Sequence, residues 1–182
     1  MKVLLHTCCG PCLIYPLQKL SSEGFQVTGF FYNPNIHPLA EYLKRKEAVI
    51  GLGAGIEVLY PAYSPREFFR AVNSQENAPQ RCAICWRLRL KQTARAAKEG
   101  GFDYFTTTLL VSPYQDQGLL KTIGEEIAQE EGVKFYYSDF RTGFRQAHNE
   151  AYAKGIYCQK YCGCLYSMKP GLTERSERKS DG

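Results

Sequence analysis

Eight cysteines constrain this chain of 182 residues more than any other feature, because they fall into three short clusters. The first cluster lies in HTCCGPC, the second in RCAICW and the third in YCQKYCGC. Within each cluster the spacing is short enough for the thiols to converge on one point. The clusters are far apart along the chain, so only folding can bring them into one site. The pattern indicates a metal or redox centre.

The expected environment of the chain follows from its length and its first residues, and it decides how the cysteines are interpreted. No run approaches the ~20 apolar residues of a membrane span. The apolar run in MKVLLHTCCG is too short for a signal peptide, which predicts a cytoplasmic protein with no membrane partner. Disulfide scaffolds are typically secreted and under ~80 residues. Clustered cysteines in a reducing compartment therefore favour metal ligation or redox chemistry, with structural disulfides as the alternative.

Apolar runs alternate with helical patterns along the chain and predict the fold class. Strands are predicted at 3–6, 26–32, 56–60, 104–108 and 133–138, and helices from Pro11 to near Gly24 and at 38–49, 65–72, 82–99, 116–131 and 143–154. This alternation predicts an α/β fold with a mostly parallel five-stranded sheet. We expect a single three-layer catalytic domain over residues 1–170 and a polar, disordered tail over 171–182. Ligands of such sheets bind at the carboxyl ends of the strands, where the first cysteine cluster lies.

Two of the clusters together offer a complete metal ligand set. Cys8, Cys9, Cys82 and Cys85 supply four thiolates, the usual number for an iron–sulfur cluster. Cys82 and Cys85 are three residues apart on a predicted helix, so they face the same way. Tetrahedral zinc also accepts four cysteines, and the ligand count leaves the choice between iron–sulfur and zinc open.

The third cluster suggests a different role. Cys162 and Cys164 are separated by one glycine, and a disulfide across one residue closes a tight ring of poor geometry. Strained disulfides are the labile, catalytic ones, so we interpret the pair as a redox-active dithiol, with two further metal ligands as the alternative. Cys12, Cys158 and Asp139 are candidates for a second metal or an electron relay. The two cysteines among them can also pack as small hydrophobes.

Three other side chains near the same edge have a functional and a structural interpretation. Asp116 can supply an oxygen ligand or cap a helix. His6 can tune a thiolate or be a hydrogen-bonded core histidine. Trp86 can stack on a base or pack its helix against the sheet.

A basic stripe is predicted on the helix that begins at the second cysteine cluster. Residues 81–98 contain six basic residues and no acidic one, in a chain of net charge +5. Arg87, Lys91, Arg95 and Lys98 have helical spacing and lie on one face. A stripe without acidic partners can follow a phosphate backbone, and a solvated helix face is the alternative.

Four motifs together resemble the epoxyqueuosine reductase QueH family. They are HTCCGPC, the CxxC helix, TTLLVSPYQ and the late CGC, and they follow in order from His6 to about Cys164. The resemblance implies a two-electron reduction of epoxyqueuosine to queuosine at the wobble position of tRNA, the last step of queuosine synthesis. It implies a [4Fe-4S] cluster at Cys8, Cys9, Cys82 and Cys85, with Cys162 and Cys164 as a redox-active pair. The fold of the family is similar to nucleotide-binding domains of the HUP/PP-loop type.

These implications bring expected partners and leave two alternatives. The partners are a tRNA that carries epoxyqueuosine in its anticodon loop, bound through Arg87, Lys91 and Arg95, and an external electron donor. A second iron would be an additional cofactor. The loop TCCGPC contains one glycine, so ATP use is not expected. The alternatives are a zinc-stabilised RNA-binding module without catalysis and a thiol–disulfide oxidoreductase that acts on proteins.

Overall fold

The structure, a computed structural model that describes residues 1–168, is built around a parallel sheet. The strands are β1 Lys2–His6, β2 Gln26–Phe30, β3 Val58–Leu59, β4 Tyr104–Thr107 and β5 Lys134–Phe135. Their order is β3-β2-β1-β4-β5, and each neighbouring pair is parallel. The predicted α/β fold with five strands is confirmed. The two edge strands are shorter than predicted, because each pairs with a neighbour on one side only.

The helices cover both faces of this sheet. They are α1 Gly10–Ser22, α2 Leu39–Gly51, α3 Pro65–Val72, α4 Gln80–Glu99, α5 Gln117–Glu131 and α6 Phe144–Ala153, with 3-10 turns at Thr108–Val111 and Arg141–Gly143. Contacts join α1 to α2 and α6, and α4 to α5, β1 and β4. Right-handed crossovers that run in opposite directions from β1 place these two groups on opposite faces. The six predicted helices are therefore present, with ends shifted by a few residues.

The core lies along the central strands. Val3, Leu4 and Leu5 of β1 are fully buried, as expected for a strand covered on both faces. Within residues 1–168, no helix is both long and apolar enough to cross a lipid bilayer. The predicted tail over 171–182 lies outside the described residues.

The order of the strands reverses next to β1, and this reversal positions the site. The chain runs from β1 outward to β2 and β3, and then returns to place β4 on the other side of β1. The loops that leave β1 and β4 therefore diverge and leave a crevice at the carboxyl edge of the sheet. Cys8 and Cys9 follow β1 directly, and Thr108 follows β4.

Candidate metal and thiol centre

Three thiols of the first cluster converge in this crevice. Cys8 and Cys9 lie in the turn after β1, and Cys12 lies in the first turn of α1. Their sulfur atoms all lie within 4.8 Å of one another, and all three residues are buried. The sequence analysis left Cys12 out of the main ligand set. Its spacing of three from Cys9, at the start of the helix predicted from Pro11, was the signal that could have included it.

A threonine just after β4 holds Cys8 of this triad in place through two hydrogen bonds. The Oγ1 atom of Thr108 accepts a hydrogen bond from the backbone N–H of Cys8 at 3.1 Å and donates to the Sγ atom of Cys8 at 3.3 Å. The neighbouring Thr107 bonds through its Oγ1 atom to Nδ1 of His6 at 2.9 Å. The ends of β1 and β4 are thus tied together by side chains beside the thiols.

Hydrogen bonds within the triad favour one thiolate. Side-chain interactions with Cys12 and Cys9 hold the pKa of the Cys8 thiol well below its ordinary value. Burial raises the pKa of Cys9, and the bond to Cys8 raises the pKa of Cys12. Cys8 is therefore the thiol of the triad that most readily ionises, and the thiolate is the form of cysteine that binds metals.

The second and third cysteine clusters meet in another group of thiols. Cys85 and Cys164 belong to one buried apolar cluster, which also includes Phe68 of α3. Burial, together with the charges of Cys162, Cys164 and Cys82, raises the pKa of Cys85 to about 12. The fold therefore brings the CGC segment to the CxxC helix, which neither spacing could show alone.

The predicted four-cysteine ligand set does not form one compact group. Among residues 1–168, the triad of Cys8, Cys9 and Cys12 is the set whose donor atoms all lie within 4.8 Å. Cys82 and Cys85 lie outside that triad. The assignment of Cys8, Cys9, Cys82 and Cys85 to one cluster therefore stays a prediction.

Two buried arginines lie near the thiols, and one of them, Arg45, interacts with both groups. Arg45 of α2 interacts electrostatically with Cys9, Cys8 and Cys162. Arg89 of α4 interacts with Cys85 and Cys162. The sequence analysis missed both arginines as site residues, because a basic residue on a helix is ordinarily read as exposed.

Arg45 holds the CGC segment by its backbone. Its Nη1 atom donates to the carbonyl oxygen of Cys162 at 3.0 Å, and its Nη2 atom donates to that of Tyr161 at 2.9 Å. Its Nε atom donates to Glu41 at 2.7 Å. Gly163 has φ +132, and a Cβ atom there would come within 3.2 Å of Arg45 Nη1. The position therefore needs glycine for its backbone angle and for the close approach.

The loop after β2 carries polar atoms without partners beside this segment. Both polar atoms of the Asn35 side chain are buried and make no hydrogen bond within the described part of the chain. A Cβ atom on Gly163 would lie 3.4 Å from Asn35 Nδ2. Asn33 donates to the backbone oxygen of Thr7 at 2.9 Å, but its own side-chain oxygen is unpaired. Buried amides without partners are costly, and a bound group is the usual reason for them.

The structural interpretations hold for His6, Trp86 and Asp116. His6 is fully buried and hydrogen-bonded, and burial lowers its pKa to about 4, so its ring is neutral. Trp86 is buried in the main core. Asp116 caps α5 by accepting from the N–H of Leu119 at 2.9 Å.

The remaining candidates for a second metal differ in their surroundings. The carboxylate of Asp139 forms an ion pair with Arg141 at 2.6 Å on the surface, which lowers the pKa of Asp139. The thiol of Cys158 lies 3.6 Å from the carbonyl oxygen of Ile156. Next to it, Gln159 donates to the sulfur of Cys12 at 3.8 Å. The segment that begins at Cys158 therefore reaches the triad through its glutamine.

The premise of an unpaired basic stripe on α4 is wrong. Its cations form ion pairs with glutamates of α5: Arg87 with Glu126 and Glu130, Lys91 with Glu130 and Glu131, and Arg95 with Glu131. These glutamates lie 36–43 residues away along the chain, so the helix itself gave no sign of them. The role of the stripe in tRNA binding stays a prediction without its original support.

An exposed tyrosine stands at the same edge as the thiols. Tyr114, in the motif TTLLVSPYQ, follows the 3-10 turn after β4 and is 81% exposed. Its ring meets that of Phe144 edge-on, with centroids 6.0 Å apart. Arg145 is exposed on the next residue of α6. A solvent-facing aromatic ring is a surface on which an unpaired base can stack.

Comparisons with known proteins agree on one family. A family model described as Epoxyqueuosine reductase QueH matches residues 3–170. A protein of that name from Dehalococcoides mccartyi is 39% identical over 91% of this chain and 92% of its own length. Another from Thermotoga maritima is 37% identical over 98% of this chain and 94% of its own length.

A solved structure extends the comparison to the fold. It is described as a predicted subunit of tRNA methyltransferase from Methanocaldococcus jannaschii. It matches with a TM-score of 0.57 and 10% identity, over 84% of this chain and 76% of its own. At that identity the likeness concerns the fold alone.

Proposed function

Because this chain belongs to the epoxyqueuosine reductase QueH family, we propose that it reduces epoxyqueuosine to queuosine at the wobble position of tRNA. The reaction consumes two electrons and two protons, converts the epoxide to an alkene and releases the oxygen as water. The observation that carries the proposal is the meeting of the CGC segment with the CxxC helix beside the thiol triad. It brings the cysteines to which we assign redox and metal-binding roles to one edge of the sheet.

We assign Cys8, Cys9, Cys82 and Cys85 as ligands of a [4Fe-4S] cluster. The thiols fit such a group, since the donors are all soft sulfur atoms and Cys8 favours the thiolate. When bound, the cluster supplies electrons one at a time. Cys12, which the fold places in the triad, is the best supported candidate for a second iron or a relay. Cys158 is a further candidate, and Asp139 has less support because Arg141 already pairs with it.

We assign Cys162 and Cys164 as the redox-active pair. Oxidation of this dithiol to a disulfide releases the two electrons and two protons that the epoxide requires. Cys162 is exposed and Cys164 is buried beside Cys85. Such an arrangement lets an external reductant attack at Cys162, while Cys164 faces the interior. Both thiols are then restored for the next turnover.

The proposed substrate is an unpaired base in a tRNA loop, and the carboxyl edge of the sheet has features that can receive such a base. A base must leave its stack to reach thiols in a crevice, which is how single-stranded loops are recognised. Tyr114 offers an exposed ring at that edge. We place this reaction in the reducing cytoplasm, where clustered cysteines stay available for metal ligation and redox chemistry.

Metal analysis is the first test of this proposal. We expect about four iron and four acid-labile sulfide per chain after anaerobic purification, and more iron if a second site is filled. Stoichiometric zinc without sulfide, persisting after anaerobic reconstitution with iron and sulfide, would refute the reductase. It would favour the alternative, a zinc-stabilised RNA-binding module without catalysis.

Substitution of the dithiol separates its role from metal ligation. Cys162→Ser and Cys164→Ser should each abolish reduction of epoxyqueuosine in tRNA, because neither variant can form the disulfide. The absorption and EPR spectra of the cluster should be unchanged in both. Loss of the cluster in both variants would show instead that these cysteines are ligands.

A further inference from the structure

Arg89 is a buried cation without an anionic partner among the side chains described. It lies on α4, one turn after Cys85, and is 2% exposed. Its Nε atom donates to the carbonyl oxygen of Cys85 at 3.2 Å. Its Nη2 atom is buried and has no hydrogen-bond partner within residues 1–168. Fully buried arginine is rare unless it is paired, so this guanidinium needs an explanation.

Other basic residues show what normally balances such a charge. Arg45 is equally buried, and the carboxylate of Glu41 lies 2.7 Å from its Nε atom. Arg87, on the same helix as Arg89, is exposed and paired with two glutamates. No carboxylate lies within ion-pair distance of Arg89 in the described part of the chain. A desolvated cation in this position costs several kcal/mol unless a nearby anion compensates it.

The anion must be a resident group of the site. The neighbours with which Arg89 interacts electrostatically include Cys85 and Cys162. A phosphate of a substrate cannot reach a side chain that is 2% exposed without opening the core. Neutral thiols cannot balance the charge either. Thiolates that remain ionised because they hold metal can do so, and their negative charge persists in the folded protein.

We infer that Arg89 balances the charge of the thiolate-bound iron–sulfur group and thereby raises the reduction potential of that group. The inference rests on the proposed function. Reduction adds a negative charge to the cluster, and a fixed cation in a poorly solvated site stabilises the reduced state more than the oxidised state. Charges and hydrogen bonds around the sulfur atoms are known determinants of such potentials.

An EPR-monitored redox titration of variants tests this role. Arg89→Gln removes the charge, Arg89→Lys keeps it, and Arg87→Gln removes a charge two residues away at an exposed position. We expect a clearly lower midpoint potential in Arg89→Gln and a value near that of the wild type in Arg89→Lys. Arg87→Gln should leave the potential unchanged, because its charge is screened by solvent and paired with glutamates.

Iron and sulfide content, measured on the same samples, separates the possible failures. A wild-type chain without iron and sulfide would refute the proposed function. An unchanged potential in Arg89→Gln with a full cluster would overturn the inference about Arg89. If Arg89→Gln holds no cluster but Arg89→Lys does, the charge is needed for assembly and the inference stands. Loss of the cluster in both would show that the bond to Cys85 matters rather than the charge, which also overturns it.

Discussion

Arg45 shows how one side chain can hold a segment that is distant in sequence. Its three donor groups bind Glu41 on the same helix and two backbone carbonyls of the CGC segment. The hydroxyl of Tyr157 donates to the other oxygen of Glu41 at 2.7 Å. The pair is buried, so each of these bonds counts for more than it would on the surface. The position of the CGC segment therefore depends on a helix more than a hundred residues earlier.

Breaking this pair should destabilise the protein strongly. Arg45→Met leaves the charge of Glu41 buried without a partner, and we expect a loss of about 3–5 kcal/mol in the free energy of unfolding. The double variant Glu41→Gln/Arg45→Met should lose less, because neither charge remains. Anaerobic urea denaturation measures both values.

An exposed ion pair with the same spacing provides the control. Glu150 of α6 and Lys154, the first residue after that helix, are four residues apart, and Lys154→Met should cost at most about 1 kcal/mol. If Arg45→Met is no more costly than Lys154→Met, the buried pair does not hold the segment as described.

At the scale of elements, α4 performs two tasks on different faces. Its first turns carry Cys82 and Cys85 toward the CGC segment, and Arg89 lies one turn further on that inner side. Its outer face pairs with glutamates of α5. The basic stripe therefore joins α4 to α5 through ion pairs, and its role in RNA binding is a separate prediction.

The loop after β4 is a second element with a testable role. We expect Tyr114→Ala to weaken binding of an anticodon stem-loop by about 1–3 kcal/mol, because one stacked base would lose its aromatic partner. Tyr114→Phe should bind like the wild type, since the ring is kept. Fluorescence anisotropy with a labelled stem-loop measures the affinity.

Tyr152 is the matched control for this loop. It is 84% exposed, near the end of α6, and Tyr152→Ala should leave the affinity unchanged. Equal binding by Tyr114→Ala and the wild type would remove Tyr114 from the RNA surface. Equal loss in both tyrosine variants would indicate a general effect of exposed rings rather than a site.

At the scale of the whole molecule, the site joins parts of the chain that local structure does not connect. The thiols come from the turn after β1, the start of α4 and the segment that follows α6. A metal bound by more than one of these parts crosslinks them, so metal binding contributes to folding stability.

Removal of the metal should therefore loosen the site more than the sheet. We expect anaerobic chelation to lower the melting temperature and to increase hydrogen exchange at residues 157–164 and at the start of α4. The central strands β1 and β4 should stay protected, since their stability comes from apolar burial. Differential scanning fluorimetry and exchange mass spectrometry record the two effects.

A variant that cannot hold the metal controls this experiment. In Cys8→Ser/Cys9→Ser the chelator should cause no further change in melting temperature. A wild-type melting temperature that is unaffected by full removal of the metal would show that the metal does not crosslink these segments.

The sequence by itself determined the layered fold and the kind of chemistry. Continuous apolar runs such as Val3–Leu5 indicate strands that are buried on both faces, and segments with helical periodicity indicate the helices between them. Both signals are local, because the spacing of apolar residues along the chain depends on which faces of an element are buried. The cysteine clusters, by residue type alone, indicated thiol and metal chemistry. The four motifs indicated the family, which the comparisons confirm.

Only the tertiary structure decided which of these residues meet. Cys12 joins Cys8 and Cys9 because the first turn of α1 directs it into the crevice. Arg89 is buried while Arg87, two residues away, pairs with α5. Such choices depend on the order of strands and on helices packed from distant parts of the chain. A local pattern records how apolar each face is, but it does not record which distant charge or thiol lies opposite it.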